Sequence, residues 1–380
     1  MMKNDPVPGL QPTVMRWARQ SIGLSAADVA AKLKRPIEEI ESWESGKSSP
    51  TYTQLEKLAY KIYKRPLAVF FLPSPPEEIP PEREFRTLPD IDLSSLPVDT
   101  HMQIRRAHAY QLALQELFNG RNPSEHCIWR KLFLSPDSSM VSQAQAIRVS
   151  LGVSLETQCA WKDDDLALKQ WRAAIENVGI FIFKAPFKQK EISGFCLLDE
   201  NFPVIFINNS TTKTRQIFSL LHELAHLLFS VNGLSKLDKS YIDRLPNAEK
   251  QIEQFCNAIA AEVLIPAKDF QEQTRNFPSN VEHLDEIHFS NLANRYSISR
   301  EAILRRFRDQ ERVSQRFYDQ QTKIWASQQR QSSGGNWYAS QNSYLSDRFA
   351  KEVVSRHYRN QLSIEQAADL LGIKPKNFPD

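Results

Sequence analysis

The strongest constraint on the fold is the run 220–229, which reads Leu-Leu-His-Glu-Leu-Ala-His-Leu-Leu-Phe. Apart from His222, Glu223 and His226 it is apolar, so it predicts a helix that is buried on nearly all sides. Positions four apart share a helix face, and the two imidazoles can therefore bind one metal ion. Glu223 lies where a carboxylate can deprotonate a water on that ion. The spacing favours a zinc site; the alternative is a buried helix that carries two histidines by chance.

The composition is that of a globular protein without a strong overall charge. The chain of 380 residues is 41% hydrophobic and 24% charged, and its formal net charge is +3. This length predicts two or three domains. The small net charge gives no general reason to expect nucleic-acid or membrane binding, so any basic surface must be local.

The cysteines and the lack of long apolar segments predict a location inside the cell. The four cysteines are widely spaced and form no Cys-x-x-Cys pair, which is typical of a reduced protein. No basic stretch precedes an apolar core at the N-terminus, so no signal peptide is predicted. No run of about 18 apolar residues predicts a membrane span. We therefore expect a soluble, cytoplasmic protein with no membrane partner.

Changes in composition divide the chain into five predicted segments. The first is an all-α helix-turn-helix bundle, and the second is a Pro-rich linker followed by a helical connector. The third combines a small sheet with the helix that carries the histidines. A polar linker and a helical C-terminal segment follow. We predict an α+β protein with segment boundaries at 1–72, 73–164, 165–310, 311–344 and 345–380.

Residues 13–72 predict short helices joined by tight turns. Ser25 precedes an apolar stripe and has Asp28 three residues later, which is typical of a helix start. Pro36 suits the first turn of the next helix, which ends near Gly46. Two short helices joined in this way inside a small bundle form a helix-turn-helix.

The hydrophobic period changes before the histidine-bearing helix. The runs 180–183, 194–198 and 204–207 are short, β-branched or aromatic, and separated by turn residues, so they predict the strands of a small sheet. The last run, extended to Asn208, is also a candidate edge for pairing with an extended peptide. Asn208 and Arg215 are candidates for substrate binding.

A catalytic zinc ion needs a third protein ligand from a neighbouring element. The helical run 249–265 offers the carboxylates of Glu249, Glu253 and Glu262. Glu253 is the first choice, because the apolar residues around it leave it facing a partner helix. Glu249 lies one turn earlier on a similar face, and periodicity alone does not separate the two.

The motifs of residues 165–310 together resemble the ImmA/IrrE family of zinc metallopeptidases. The resemblance rests on a strand that ends in Asn208, Arg215-x-x-Phe218, His222-Glu-x-x-His226 and Glu253-Gln-Phe-Cys-Asn257, followed by a stop at Pro266. It implies a zincin-like fold with Zn²⁺ held by His222, His226 and Glu253. It also implies that Glu223 is the general base. Cys256 and Ile265 replace the usual Ala and Met, and a thiol beside a ligand could compete for the metal.

Residues 13–72 resemble the Cro/repressor-type (XRE) module that often precedes this peptidase. The matching motifs are Gly23-Leu-Ser25, Val29-Ala30, Trp43-Glu44-x-Gly46 and Pro50-Thr51. The resemblance implies DNA binding, for which the candidate residues are Lys32, Lys34, Arg35, Ser42 and Lys47. The candidate reading helix, 36–45, carries four glutamates and no basic residue, which disfavours phosphate contact. Operator binding and a mainly protein–protein role both remain open.

A second basic region lies at the end of the predicted peptidase domain. Residues 284–308 predict a helix-turn-helix-like pair, and arginines are concentrated there at Arg300, Arg305, Arg306, Arg308 and Arg312. A solvated helix face is the first interpretation, and contact with nucleic acid is the second.

The resemblance implies a zinc-dependent regulatory endopeptidase that cuts a specific regulatory protein, such as a DNA-binding repressor. The alternative is an antitoxin-like transcriptional regulator that neutralises a partner toxin, for example a ribonuclease, with zinc in a structural or sensory role. Glu223 favours the enzyme, because a purely structural site needs no base. The expected partners are a repressor or toxin and operator DNA; a dimer is compatible with the sequence, which does not define the oligomeric state.

Overall fold

The computed structural model describes residues 5–78, 85, 96–187, 192–236, 242, 245–328 and 344–378. The chain forms two compact units, Met1–Arg106 and Ala107–Asp380. The compact units divide after Arg106, and the predicted segment boundaries stay predictions. The mixed α+β class is confirmed. No described helix is long and apolar enough to cross a membrane.

The first unit is built from short helices. They are α1 (Pro12–Gln20), α2 (Ala26–Leu33), α3 (Ile37–Glu44) and α4 (Tyr52–Glu56), followed by a π-helical segment, Lys57–Tyr63, and a 3-10 turn, Leu67–Phe71. Ser25 and Asp28 form a capping box at the start of α2. Lys34 has a φ of 57° and turns the chain towards α3. The short helices and their tight turn are present, and a DNA-binding role for them stays a prediction.

One of the four glutamates in the candidate reading helix is not on its surface. Glu44 is only 5% exposed. Its carboxylate accepts hydrogen bonds from Arg19 at 2.7 and 2.8 Å. Glu44 therefore joins α3 to α1, and its charge is paired within the fold.

The second unit contains the sheet and the remaining helices. Helix α5 (Val98–Leu117) crosses the boundary between the units. The helices that follow are α6 (Met140–Leu151), α7 (Leu155–Cys159), α8 (Asp164–Asn177), α9 (Lys213–Leu228), α10 (Asn247–Leu264), α11 (Ala267–Gln273), α12 (Glu286–Tyr296), α13 (Arg300–Asp309), α14 (Gln315–Gln328), α15 (Asp347–Tyr358) and α16 (Ile364–Leu371). The strands are β1 (Phe181–Ala185), β2 (Ile192–Leu197), β3 (Val204–Asn208) and β4 (Leu234–Lys236).

The sheet has the strand order β1-β3-β2-β4. Strand β1 is parallel to β3, and the other two pairings are antiparallel. The three predicted strands are confirmed, whereas the short β4 was not predicted. Because β3 lies between β1 and β2, both of its edges are already paired. The prediction that the strand ending in Asn208 binds a peptide at its edge was therefore wrong.

The C-terminal segment packs against the sheet. Phe349 of α15 is fully buried, and its ring centroid lies 5.4 Å from that of Tyr110 and 5.5 Å from that of Phe183. Ser346, just before α15, is also fully buried. Residues 345–378 therefore belong to the second unit and do not form a separate segment.

The predicted polar linker contains a helix. Helix α14 buries Tyr318 and Trp325, which lie on one face seven residues apart. This part of the predicted polar linker is therefore ordered, and the part at 329–343 lies outside the described residues.

The arginines of the second basic region are engaged within the fold. Arg306 donates to Glu262 and to the carbonyl of Ile265. Arg312 donates to the carbonyls of Phe277 and Pro278. The remaining members also have protein partners: Arg300 with Glu286, Arg305 with Glu301 and Tyr318, and Arg308 with Asp309. These ion pairs are compatible with the predicted solvated face, and they leave less charge for nucleic acid.

Candidate metal centre

Helix α9 places both histidines on one buried face. Thr212 caps the helix by accepting a hydrogen bond from the Arg215 N–H at 3.3 Å. From Gln216 to Leu228 nearly every side chain is buried, as the apolar run predicts. The Nε2 atoms of His222 and His226 lie 2.9 Å apart, so both imidazoles point at the same place.

Helix α10 brings a carboxylate to the two imidazoles. Glu253 is fully buried, and it shares the buried face of α10 with Cys256 and Ala260. Its oxygens lie 3.5 Å from the Nε2 of His222 and 3.2 Å from the Nε2 of His226. Glu249, the alternative ligand, is only half-buried and is not part of this group.

The donor set fits a divalent metal ion. Tetrahedral zinc ligands lie about 2.0–2.1 Å from the ion and therefore about 3.4 Å from one another. The three separations between the two Nε2 atoms and the Glu253 oxygens are 2.9, 3.2 and 3.5 Å. Two imidazoles and one carboxylate leave a fourth position, as catalytic zinc sites do. Among the described residues, His222, His226 and Glu253 form the one group of this kind.

The charges of the site also favour a cation. Burial alone would raise the pKa of the Glu253 carboxyl, but the neighbouring imidazoles of His226 and His222 bring that pKa well below its usual range. Burial would lower the pKa of His226, and the nearby Cys256 and Glu253 raise it well above its usual range instead. A buried carboxylate thus attracts positive charge to the point where the imidazoles meet.

Glu223 lies on the same helix turn as the histidines and is fully buried. Two further groups lie beside it, and neither belongs to a sequence motif. The thiol of Cys196, on β2, lies within hydrogen-bonding reach of the Glu223 carboxylate. Gly233, which precedes β4, packs against both Glu223 and His226.

Cys256 is a neighbour of the ligands. It is fully buried, and its thiol lies within hydrogen-bonding reach of the His226 imidazole. Burial raises the pKa of this thiol, which disfavours the thiolate that zinc would bind. Competition of Cys256 for the metal therefore gains no support from the structure.

Asn208 has a structural role. It is fully buried, and its side-chain oxygen accepts hydrogen bonds from the N–H groups of Phe187 at 3.1 Å and Ser210 at 3.0 Å. Its side-chain nitrogen donates to the carbonyl of Ile192 at 2.7 Å. The amide ties the ends of the strands together, and substrate binding by Asn208 stays a prediction.

Arg215 remains a candidate for substrate binding. It is half-buried in the first turn of α9, and its guanidinium carbon lies 5.7 Å from the centroid of the Phe218 ring. The Phe218 ring in turn stacks on His222 with centroids 6.2 Å apart. Arg215 therefore lies on the helix face that carries the ligands, two turns before His222.

The residues predicted to contact DNA lie in the first unit. Four of them, Lys32, Lys34, Arg35 and Lys47, are exposed. Ser42 is half-buried, and its hydroxyl lies 2.7 Å from that of Ser48. Exposure is what phosphate contact requires, and DNA binding stays a prediction.

Part of the second unit matches the model of a known protein family. The family model of the IrrE N-terminal-like domain, of the M78 peptidases, matches residues 175–308. The match covers the sheet, both metal-site helices and the helices up to α13, which is close to the predicted range of 165–310. It does not extend to the N-terminal helices, whose resemblance to a repressor module stays a prediction. No curated protein matches the sequence.

Proposed function

We propose that this protein is a zinc-dependent regulatory endopeptidase that hydrolyses a peptide bond in a specific regulatory protein. The observation that carries the proposal is the buried group of His222, His226 and Glu253 with Glu223 beside it. The similarity of residues 175–308 to the M78 peptidase domain supports it.

The reaction assigns a role to each of these side chains. His222, His226 and Glu253 would hold the ion and leave one position open. When bound, zinc supplies Lewis acidity to the scissile carbonyl and to the attacking water. Glu223 takes a proton from that water and delivers it to the leaving amine. A carboxylate suits both steps because it can accept and return one proton.

The substrate peptide is proposed to pair with β4. The outer edge of β1 is already used at Ile182, whose carbonyl accepts from Arg172 at 3.1 Å and whose N–H donates to Glu176. Strand β4 is the other edge strand of the described sheet and packs beside α9. An extended peptide added to β4 would therefore run next to the metal helix.

The regulatory part of the proposal rests on the N-terminal helices. A repressor-type module would bring the peptidase to operator DNA, through residues such as Lys34 and Arg35, or to another DNA-binding protein. The natural substrate class is then a transcriptional repressor.

One observation favours the alternative of an antitoxin-like regulator with a structural or sensory metal site. Glu223, His226 and Glu253 are each 0% exposed, and His222 is 3% exposed. A peptide bond can reach them only if the protein around the site opens. In this alternative the protein binds and neutralises a toxin without cutting it.

Co-expression followed by mass spectrometry distinguishes the two functions. The wild-type protein and the Glu223→Gln variant are each produced in cells together with the other proteins of those cells. The zinc content of both purified proteins is quantified. We expect a fragment that appears only with the wild type, at equal zinc content. An intact partner captured equally by both proteins, without a fragment, would support the antitoxin-like function and contradict the peptidase.

A further inference from the structure

The chain returns to the metal centre directly after α9. Ser230 has a φ of 61° and reverses the chain direction. The N–H of Val231 then donates to the carbonyl of His226 at 3.1 Å. As a result, Gly233 lies against the same helix turn that carries His226 and Glu223.

Gly233 has no space for a side chain. A Cβ at this position would lie 2.6 Å from both Cγ and Cδ2 of His226. It would also lie 2.8 Å from Oε2 of Glu223. Carbon atoms in ordinary contact are about 3.5–4.0 Å apart, so a single methyl group would have to displace both functional side chains.

Gly233 is also held in place by strand β2. The N–H of Cys196 donates to the Gly233 carbonyl at 2.9 Å. The Gly233 N–H donates to the Cys196 sulfur at 3.2 Å. Cys196 is fully buried in the sheet. Its pairing with Gly233 therefore fixes the distance between the Gly233 backbone and helix α9. Both polar groups of the Gly233 backbone are occupied, which removes them as binding groups for a substrate.

We propose that Gly233 is a positioning residue of the metal centre. Its backbone is held in place by hydrogen bonds with Cys196. It packs against the His226 imidazole and the Glu223 carboxylate and so fixes the orientation of both groups. The Cys196 thiol adds a direct contact with the Glu223 carboxylate. This inference rests on the proposed zinc function, because it assigns what orients a ligand and the general base of that site.

The test compares Gly233→Ala with Gly194→Ala, a control at another glycine where an added Cβ would meet close contacts. A Cβ at Gly194 would lie 2.9 Å from the carbonyl oxygen of Phe206, within the sheet. Zinc affinity is measured by chelator competition, ligand geometry by the absorption spectrum of the Co²⁺ form, and the fold by circular dichroism. We expect Gly233→Ala to bind zinc about 10–100-fold more weakly, as for other groups that orient ligands, with an altered Co²⁺ spectrum. Gly194→Ala should lose thermal stability but keep wild-type affinity and spectrum.

Wild-type affinity and an unchanged Co²⁺ spectrum in folded Gly233→Ala would overturn the proposal. If that variant does not fold, Cys196→Ala decides, since it removes the sulfur that contacts Gly233 and Glu223 without adding bulk. It should alter the Co²⁺ spectrum, and Cys196→Ser should restore it; a wild-type spectrum in Cys196→Ala would overturn the proposal. Absence of zinc binding in the wild type would instead contradict the proposed function and this inference together.

Discussion

Within helix α10, a shift of one turn separates the candidate metal ligand Glu253 from the half-buried Glu249. Glu253 is fully buried with oxygens 3.2 and 3.5 Å from the two imidazoles, while Glu249 is only half-buried. We expect Glu253→Gln to weaken zinc binding by more than the roughly 10–100-fold seen when only an orienting group is removed. Glu249→Gln should retain wild-type affinity in the same titration. The opposite ranking of the two variants would make Glu249 the ligand.

The residues of the metal centre differ in how far the sequence can predict them. His222, Glu223 and His226 form a local motif whose spacing already has a physical meaning. Glu253 lies on another helix, and its choice over Glu249 required a resemblance to a family. Gly233 and Cys196 carry no motif, because their importance arises only when β2 and the chain after α9 meet. Short-range periodicity contains no information on such contacts.

Among the elements, α3 is attached to α1 by a partly buried ion pair. The side chain of Glu44 is 5% exposed and that of Arg19 is 14% exposed. Removing one partner of a fully buried pair costs about 3–5 kcal/mol, because the other charge stays buried. For this partly exposed pair we expect Glu44→Gln to destabilise the first unit by roughly 2 kcal/mol.

Hydrogen exchange measured by mass spectrometry on the full chain tests this prediction locally. Peptides from α1 to α3 should exchange faster in Glu44→Gln than in the wild type. Glu41→Gln, at an exposed position of the same helix, provides the control and should leave exchange unchanged. Equal exchange in the wild type and Glu44→Gln would show that the ion pair does not stabilise the helices.

The elements that sequence analysis missed share one cause. Strand β4 has three residues, too few to show a period of two. Helix α14 carries few apolar residues, and its buried Tyr318 and Trp325 are covered by arginines from α13. Arg308 lies 4.8 Å from the Tyr318 ring and Arg300 lies 4.9 Å from the Trp325 ring. Partners that are distant in sequence supply the stabilisation in both cases.

Segments that are distant in sequence complete the core of the second unit. Trp129, from the predicted connector, joins the same core cluster as the metal helix. Phe349, from the predicted C-terminal segment, packs on the sheet. The sequence patterns of these segments predict helices, and their polar composition suggests that they are independent of the peptidase-like domain. Only the burial of single residues shows that they belong to one unit.

The attachment of the C-terminal segment is expected to depend on pH. Glu176 of α8 accepts a hydrogen bond from the N–H of Asp347 at 3.2 Å. Burial raises the pKa of Glu176 to about 7. Arg172 and Ser346 oppose this shift, and Asp347 adds to it. Because the folded pKa exceeds the ordinary value of 4.5, this group's stabilisation is complete below pH 4.5 and is lost as the pH rises through 7. Each pKa unit corresponds to about 1.4 kcal/mol.

Thermal unfolding between pH 5 and pH 8 tests the sign of this effect. Glu176→Gln removes the titration, so its melting temperature relative to the wild type should increase over this range. Lys184 provides a counterpart, since burial lowers its pKa to about 7. The melting temperature of Lys184→Met relative to that of the wild type should therefore decrease as the pH rises above 7. A constant difference between Glu176→Gln and the wild type would contradict the assignment.

We expect a zinc centre of two imidazoles and one carboxylate, with the thiols of Cys196 and Cys256 nearby and not bound to the ion. X-ray absorption at the zinc edge of the purified 380-residue protein identifies the atoms that bind the ion. We expect one zinc per chain with nitrogen and oxygen ligands at about 2.0–2.2 Å and no sulfur shell. A sulfur shell at about 2.3 Å would assign Cys256 or Cys196 as a ligand. That result, or purified protein without stoichiometric zinc, would contradict a site formed by His222, His226 and Glu253.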